Sequence, residues 1–481
     1  MRGMRKYRIR RTWLWLIAFM ALITGLGLAR TGYRFSGLWC GVALGLLFAS
    51  LCRRSLLTAI LVVAFGISVG WWRGSQYLDK LAGYQGLYHR KLTITAQALT
   101  DGVYGAHSQI SFNASKIRLP DGETLKGQVQ ISGFGLNSVL EGDEVQVSGK
   151  LYPGYGAYQA RLSFARLQLI RHHPSLVAEI RRRFAAGMQS ALPEPLASFA
   201  MGLLIGQRTT LPATVKQDLL MVGLTHIIAV SGYNLTIILR ASRGLLAQHS
   251  KRLSLAFSVS LTGTFLLLSG LSASIVRAAI VSMLSIYASY YGRSFKPLNL
   301  ILFAAAVTTL ANPVYLWSDI SWYLSFLAFF GVMIVSPLLA ARFPHRLHNS
   351  IIFQVALESV CAEFMTVPII LYAFGQMSFI GLVANVLVVA LIPLAMLLTA
   401  VAGLSGMLAG AIAGWVSWPA RLLLTYMLDV AHALARLPHI FVQNVSISLL
   451  QMLFLYAVVL LLVAGLWFKS KTKSGMITDK I

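Results

Sequence analysis

His226 and Ser231 stand five residues apart in the run Thr225-His226-Ile-Ile-Ala-Val-Ser231-Gly232-Tyr233-Asn234. An imidazole near a hydroxyl is the beginning of a nucleophilic site. On a helix, five positions separate the two by about 140°, on different faces, and no orienting acid accompanies them. The same groups could instead hold a broken helix through interhelical hydrogen bonds, or line a path, since polar side chains at membrane depth persist mainly where they face a cavity or partner. Arg277 poses a similar choice: a cation a few residues inside an apolar run either snorkels to the interface or is buried beside a polyanion path. Glu358 and Glu363 are again about 140° apart and form no single-face carboxylate pair. One of them could partner Arg277, or both could face a wet lumen. Gly232 and Pro368 are expected to break their helices.

The elements that must position these residues are apolar. Hydrophobic types make up 57% of the 481 residues, well above the share a soluble chain needs to fill its cores. This implies a polytopic α-helical membrane protein. Lys and Arg exceed Asp and Glu by 41 to 15, a net charge of +26. Much of that excess falls in short clusters between apolar runs, where the positive-inside rule accounts for it without a nucleic-acid partner. Cys40, Cys52 and Cys361 lie in or beside apolar segments and supply neither a disulfide framework nor a metal site. His345 and His348 are too few to hold a metal. No phosphate-binding G-x-x-x-x-G-K-[ST] loop is present.

Read along the chain, residues 1–83 hold the first three membrane helices, with a basic start that places the N-terminus in the cytoplasm. Residues 84–170 change character, to short alternating strands such as Glu144-Val-Gln-Val-Ser-Gly with turn signals at Asp121-Gly122 and Glu141-Gly142-Asp143. A small extracytoplasmic all-β domain is expected there, with an OB-like fold as one form. Residues 171–223 read as amphipathic interfacial helices, with Arg181, Arg182 and Arg183 on a solvated or lipid-phosphate face, or against DNA. Residues 224–468 carry nine further apolar runs, including Leu38–Ser50-like short ones at Leu224–Leu239 and a long one at Met407–Val430, and 469–481 form a cytoplasmic tail. The total is about twelve spans, some of them short enough to be re-entrant.

Gly202-Leu-Leu-Ile-Gly206-Gln-Arg208-Thr-Thr-Leu211-Pro212 followed by Val222-Gly223-Leu-Thr-His226 through Ser231-Gly232-Tyr-Asn234 resembles the central signature of the ComEC competence family. Further matches follow in order: Ser269-Gly270-Leu-Ser-Ala-Ser274-Ile-Val-Arg277, Asn312-Pro313, Leu324-Ser325-Phe326, and Pro368 through Gly375-Gln-Met-Ser378 with Asn385. The resemblance implies a bacterial inner-membrane channel that passes single-stranded DNA into the cytoplasm during natural transformation. It implies that His226, Ser231, Asn234, Ser274, Arg277, Ser325, Glu363 and Asn385 line the path. Leu140-Glu-Gly142-Asp143 through Leu151 looks like the last strands of the family's OB domain. The following loop, Tyr152 to Tyr158, keeps the family's Pro-Gly and final Tyr but lacks its Asn, Phe and Asp.

On that domain eight basic residues oppose six acidic ones, so DNA binding requires Lys116, Arg118 or Lys126 to gather beside stacking rings such as Tyr152, Tyr155 or Phe112. Many relatives continue into a metallo-β-lactamase-like domain, and no His-x-His-x-Asp-His run occurs here, so the chain is expected to be a short form and not an enzyme, with no cofactor or metal. The implied partners are membrane lipid, a separate DNA receptor, a cytoplasmic motor and a separate nuclease. A homo-oligomer is left open. The alternative reading from the same polar groups is an exporter or transporter of a smaller anionic or lipid-linked solute.

Overall fold

The computed structural model describes residues 11–50, 56–104, 109–136, 138–156, 158–173, 176–206, 211–228, 235, 250–269, 273–292, 296–348, 350–410 and 412–473. The chain divides into two compact units: residues 1–179 with 302–322, and residues 180–301 with 323–481. Ser231, Gly232 and Asn234 lie outside the described residues, as does the side chain of Ser274.

In the first unit, helices α1 (Arg11–Ala29), α2 (Gly37–Ser50) and α3 (Leu56–Gln85) open the chain. Small residues decide how closely α1 and α3 approach. Gly66, Gly70 and Gly74 recur every fourth position on α3, and a methyl group on any of them would strike Ala21, Leu22 or Ala29 of α1. Such a stripe of small residues is how helices pack tightly in lipid, where no hydrophobic drive joins them.

Seven strands follow: β1 (Lys91–Ala98), β2 (Val103–Tyr104), β3 (Ile110–Arg118), β4 (Thr124–Leu125), β5 (Val129–Phe134), β6 (Glu144–Pro153) and β7 (Ala160–Arg171). Alternation, shifted by one residue in β7 at Phe164, sends Ile94, Phe112, Ile131, Val147, Leu162 and Leu167 into one core. β1 pairs with β6, β6 with β7, β7 with β5, β5 with β3, and β3 returns to β1, so five strands close on themselves. β5 and β7 are the parallel pair and the others run antiparallel.

Beyond the strands come α4 (Leu176–Ala191), α5 (Leu196–Ile205), α6 (Ala213–Met221) and α7 (Thr225–Ile228). In α5 every residue but Leu204 is buried, because Ala, Ser and Gly between its large residues let neighbours close on all sides. α4 crosses a later helix through glycine, since Gly187 approaches the backbone of Gly403 and Met407.

The remaining helices are α8 (Lys251–Ser269), α9 (Ala273–Tyr290), α10 (Pro297–Ala311), α11 (Val314–Ser318), α12 (Ile320–Phe330), α13 (Ser336–Ala340) and α14 (His345–His348), with a π-helical turn at Gly331–Val335 between α12 and α13. They are followed by α15 (Ile351–Phe374), α16 (Gly381–Val388), α17 (Ile392–Leu408), α18 (Ala413–Val416), α19 (Trp418–Ala435) and α20 (Leu449–Lys473). Two short strands, β8 (Met377–Ser378) and β9 (Phe441–Val442), pair antiparallel.

Among the described residues, six helical stretches are long and apolar enough to cross a bilayer: Thr12–Ala29, Leu57–Gln85, Ile320–Ala340, Ile352–Phe374, Gly381–Leu408 and Leu449–Phe468. Four more apolar helices are shorter, at Leu196–Ile205, Arg252–Leu267, Ile275–Ala288 and Pro297–Ala311. This is a membrane protein with a β domain in its N-terminal half. The run Met407–Val430 is not the single span its hydropathy suggests. α17 stops at Leu408, and α19 is a separate helix that carries Arg421, Asp429 and His432.

Candidate functional site

Arg277 lies on α9 in the second unit and is only 6% exposed. Its guanidinium stands over two rings of α12, 5.3 Å from the centre of Phe326 and 5.7 Å from that of Phe329. Phe326 and Phe329 are three residues apart and so share a helix face, and Ser325, four before Phe329, borders it. The cation is thus buried against aromatic faces and does not snorkel. In the sequence Phe326 stood only within the Leu324-Ser325-Phe326 match, and Phe329 carried no signal of its own. The buried cation between them is what gives them a further role.

A second polar group forms where α6 ends. Val222 leaves the helix and Gly223 turns with φ +74°, placing its carbonyl 3.1 Å from Nδ1 of His226. Against this turn sit β8 and the start of α16. A methyl group built on Gly381 would lie 3.5 Å from Oε1 of Glu363, 3.7 Å from the Val222 carbonyl oxygen and 3.8 Å from Oγ of Ser378. Asn385 follows one turn later on the same face of α16. Ser378 Oγ and Asn385 Oδ1 are buried and accept or donate no hydrogen bond among the described residues.

The structure therefore gathers His226, Glu363 and Ser378 around Gly223. Glu363 makes no ion pair with Arg277 or any other basic side chain among the described residues. Pro368 sits within α15, which continues through it to Phe374, so this proline ends no helix. No triad forms around His226 among the described residues: its ring contact is a backbone carbonyl. Among them, too, no group of three or more His, Cys, Asp or Glu side chains could hold a metal ion.

The basic run of α4 is divided in its tasks. Arg181 donates through Nη2 to the Leu267 carbonyl at 2.9 Å, near the C-terminus of α8, where orphan carbonyls favour a cation. Arg183 is exposed. Elsewhere in this unit a cavity of about 370 Å³ between α6 and α19 is lined by Glu194, Asp218, Arg421 and His432, with His432 Nδ1 2.7 Å from Asp218 Oδ2. It contains none of the residues gathered at Gly223.

In the β domain the rings the sequence singled out meet cations other than Lys116, Arg118 and Lys126. Tyr152 and Tyr155 meet Arg161, whose guanidinium lies 5.6 Å and 5.4 Å from their ring centres, and Lys150 Nζ is 5.8 Å from the Tyr152 ring. Arg161 is opposite Tyr152 in the β6–β7 register. Lys116, Arg118 and Lys126 are not part of this group. Arg118 is opposite Thr95 on β1 whereas Lys150 is opposite Lys91, roughly 13 Å along the strand. Arg118 is also drawn toward Glu144, at 3.9 Å. Phe112 is 2% exposed and cannot stack on a ligand. Phe164 can: it occupies a bulge with φ +54°, is 78% exposed, and stacks on Phe134.

Just beyond Tyr155 the loop is tied down within the same unit. Ser318 Oγ donates to the Gly156 carbonyl at 2.9 Å, and Gln159 meets the Tyr77 hydroxyl. Burial, and then the charge of nearby Asp319, raise the pKa of Tyr158 above the ordinary tyrosine value.

Comparison with known proteins bears on the second unit most. ComE operon protein 3 of Bacillus subtilis (strain 168) is 25% identical over 233 residues, which are 47% of this chain but only 29% of that relative. No solved structure matches the chain. A family model described as Competence protein matches residues 203–469, more than half of the chain and the segment that holds His226, Arg277, Glu363 and Asn385. The chain therefore belongs to the competence protein family.

Proposed function

We propose that this protein is a channel that carries single-stranded DNA across the bacterial cytoplasmic membrane during natural transformation. The observation that carries this reading is Arg277, a guanidinium buried among apolar helices and fixed between Phe326 and Phe329 inside the family segment. A strand of phosphates needs fixed cations along its way, and a stacked guanidinium is held ready with little reorganisation. His226, Ser325, Glu363 and Asn385 line the same path, with Ser231, Asn234 and Ser274 completing it.

The β domain acts as the receiving surface. Its closed five-strand order, with the third and last long strands parallel, supports an OB-like barrel, a fold that binds single strands by stacking bases on rings beside cations. Tyr152, Tyr155, Arg161 and Lys150 supply that pairing here. The chain crosses the membrane about twelve times, counting the short apolar helices, and keeps both termini in the cytoplasm. It performs no catalysis itself. A DNA receptor, a cytoplasmic motor and a nuclease act from other polypeptides.

Import of labelled DNA into deletion cells, with and without the gene restored, tests this reading. Restored import that Arg277→Gln fails to give, at equal protein level in the membrane, is the expected result. Unchanged import in a clean deletion overturns it.

A further inference from the structure

Arg161, Arg166 and Arg171 recur every fifth residue on β7. Five is odd, so unbroken alternation would turn Arg166 to the opposite face of the strand from the other two. Two irregularities prevent this. Against β6, β7 carries one extra residue between Ser163 and Arg166, where Phe164 takes φ +54°, and another, Ile170, between Leu169 and Arg171. The three arginines therefore stand opposite Tyr152, Ser148 and Glu144, four residues apart on β6 and all on the outer face of the closed sheet. They form a straight row with steps of roughly 13 Å.

The ring-and-cation grouping of Tyr152, Tyr155 and Arg161 recurs one step along this row. Arg166 lies beside Phe134 across the parallel β5–β7 pair, and Phe134 stacks with Phe164 at 6.5 Å between ring centres and 28° between planes. A bulky residue at positive φ is strained, and a ring that stays 78% exposed buries little in return. What the bulge accomplishes is to aim this ring outward. None of the three arginines makes an ion pair among the described residues, and Glu144, opposite Arg171, is drawn to Arg118 on its other side.

We infer that a single strand of DNA lies along β7, with its phosphates on Arg161, Arg166 and Arg171 and a base stacked on Phe164. This rests on the proposed reading of the β domain as the receiving surface and adds the strand's route. OB folds usually bind on their second and third strands, which here are β3 and β5, whereas β7 is the fifth. The row is about 26 Å long, enough for about eight stacked nucleotides and within the range of about 4–16 that one OB fold covers. Its Arg161 end lies beside the loop held by Ser318 of α11 and Tyr77 of α3, so the strand is led toward those helices.

Phe164→Gly provides the decisive variant, because glycine accepts the positive φ while the ring is lost. The full chain in detergent is titrated against a labelled single-stranded oligonucleotide at several salt concentrations, and melted in parallel. Phe164→Gly is expected to melt no lower than the parent and to lose roughly five- to 150-fold in affinity with the salt slope unchanged. Arg166→Gln and Arg171→Gln are each expected to lower that slope by about 0.7. A lower melting temperature would make Phe164 a packing residue, and unchanged affinity in Phe164→Gly or unchanged slopes in both arginine variants would take the strand off β7; each result overturns the route. Tyr155→Ala separates the two readings: if it alone weakens binding, the receiving surface stands without this route, and if the parent binds no oligonucleotide, both fall.

Discussion

Lys91 and Lys150 stand directly opposite each other across β1 and β6. Like charges at such positions repel, and cross-strand pairs are worth about 0.2–1 kcal/mol in either direction. Arg161 is close by, over the Tyr152 ring that Lys150 also approaches. Three cations held together at a cost to the barrel are what an anionic strand would repay. Lys91→Thr is therefore expected to stabilise the protein slightly and weaken single-stranded DNA binding, with the salt slope reduced by about 0.7. Thermal melts and a salt titration of the full chain read the two effects separately. A loss in both, or in neither, would detach this pair from DNA.

Stacking makes a second, salt-independent contribution at the same place. Removing one base–ring contact costs about 1–3 kcal/mol, roughly five- to 150-fold in affinity. Tyr155 is 58% exposed and so free to take a base. Tyr155→Ala should lose that much affinity with the salt slope unchanged, whereas Lys116→Ala and Lys126→Ala should change affinity little. Fluorescence anisotropy with a labelled oligonucleotide checks both, and equal losses from all three variants would rule out a local ring-and-cation site.

Arg277 offers a test of shape against charge. Lys keeps the charge but loses the flat guanidinium that lies over Phe326 and Phe329. Cation–ring contacts are worth about 0.5–2 kcal/mol. Arg277→Lys and Phe326→Leu should thus each reduce DNA import by roughly three- to thirtyfold, and Arg277→Gln by more. Import normalised to membrane protein level is the measurement. Full import in Arg277→Lys would mean that charge alone suffices.

How much of this was legible in the sequence follows from what sets each feature. The β domain was visible because alternation in a strand such as Glu144–Pro153 reports burial directly. Arg277 stood out because a cation in an apolar run is rare. Its pair of rings did not, because Phe326 appeared only within the Leu324-Ser325-Phe326 match and Phe329 is one of many aromatic residues in apolar runs. The partners of Tyr152 were hidden in register: Arg161 reaches it only through the β6–β7 pairing, which no local pattern encodes. Gly381 and Ser378 meet Glu363 because three separate elements converge. The run Met407–Val430 failed as one span because hydropathy averages over the turn after Leu408.

Acidity separates the loop contact of the first unit from its neighbours. Burial raises the carboxyl pKa of Asp319 above the ordinary range, with hydrogen bonds from Ser321 and Trp322 opposing it in part. A raised value means that this group favours the folded state fully below the ordinary carboxylate value and loses that contribution as pH rises from there through the raised value. Asp319→Asn, which never ionises, should gain stability relative to the parent as pH increases across that window. The same change should bring the raised Tyr158 pKa down toward normal, since the Asp319 charge contributes to it after burial. Melting temperature against pH reads the first effect and tyrosinate absorbance the second. A constant difference in melting temperature would show that Asp319 does not titrate on folding.

A close helix crossing of the second unit, between α4 and α17, rests on Gly187, Gly403 and Gly406. A methyl group on Gly406 would overlap the Gly187 carbonyl of α4, and one on Gly403 would strike Phe184 and Met188. Both contacts involve α4, so the crossing fixes the helix that also brings Arg181 to the end of α8. Alanine elsewhere in a helix is stabilising by about 1 kcal/mol relative to glycine, so any loss must come from the crossing itself. Overpacking a closed contact costs about 1–3 kcal/mol. Gly406→Ala is therefore expected to lower the melting temperature of the detergent-solubilised chain, while Gly465→Ala within α20, which meets nothing within 4 Å, serves as its control. If the two variants melted alike, α4 would not be held by this contact, and the position of Arg181 would need another cause.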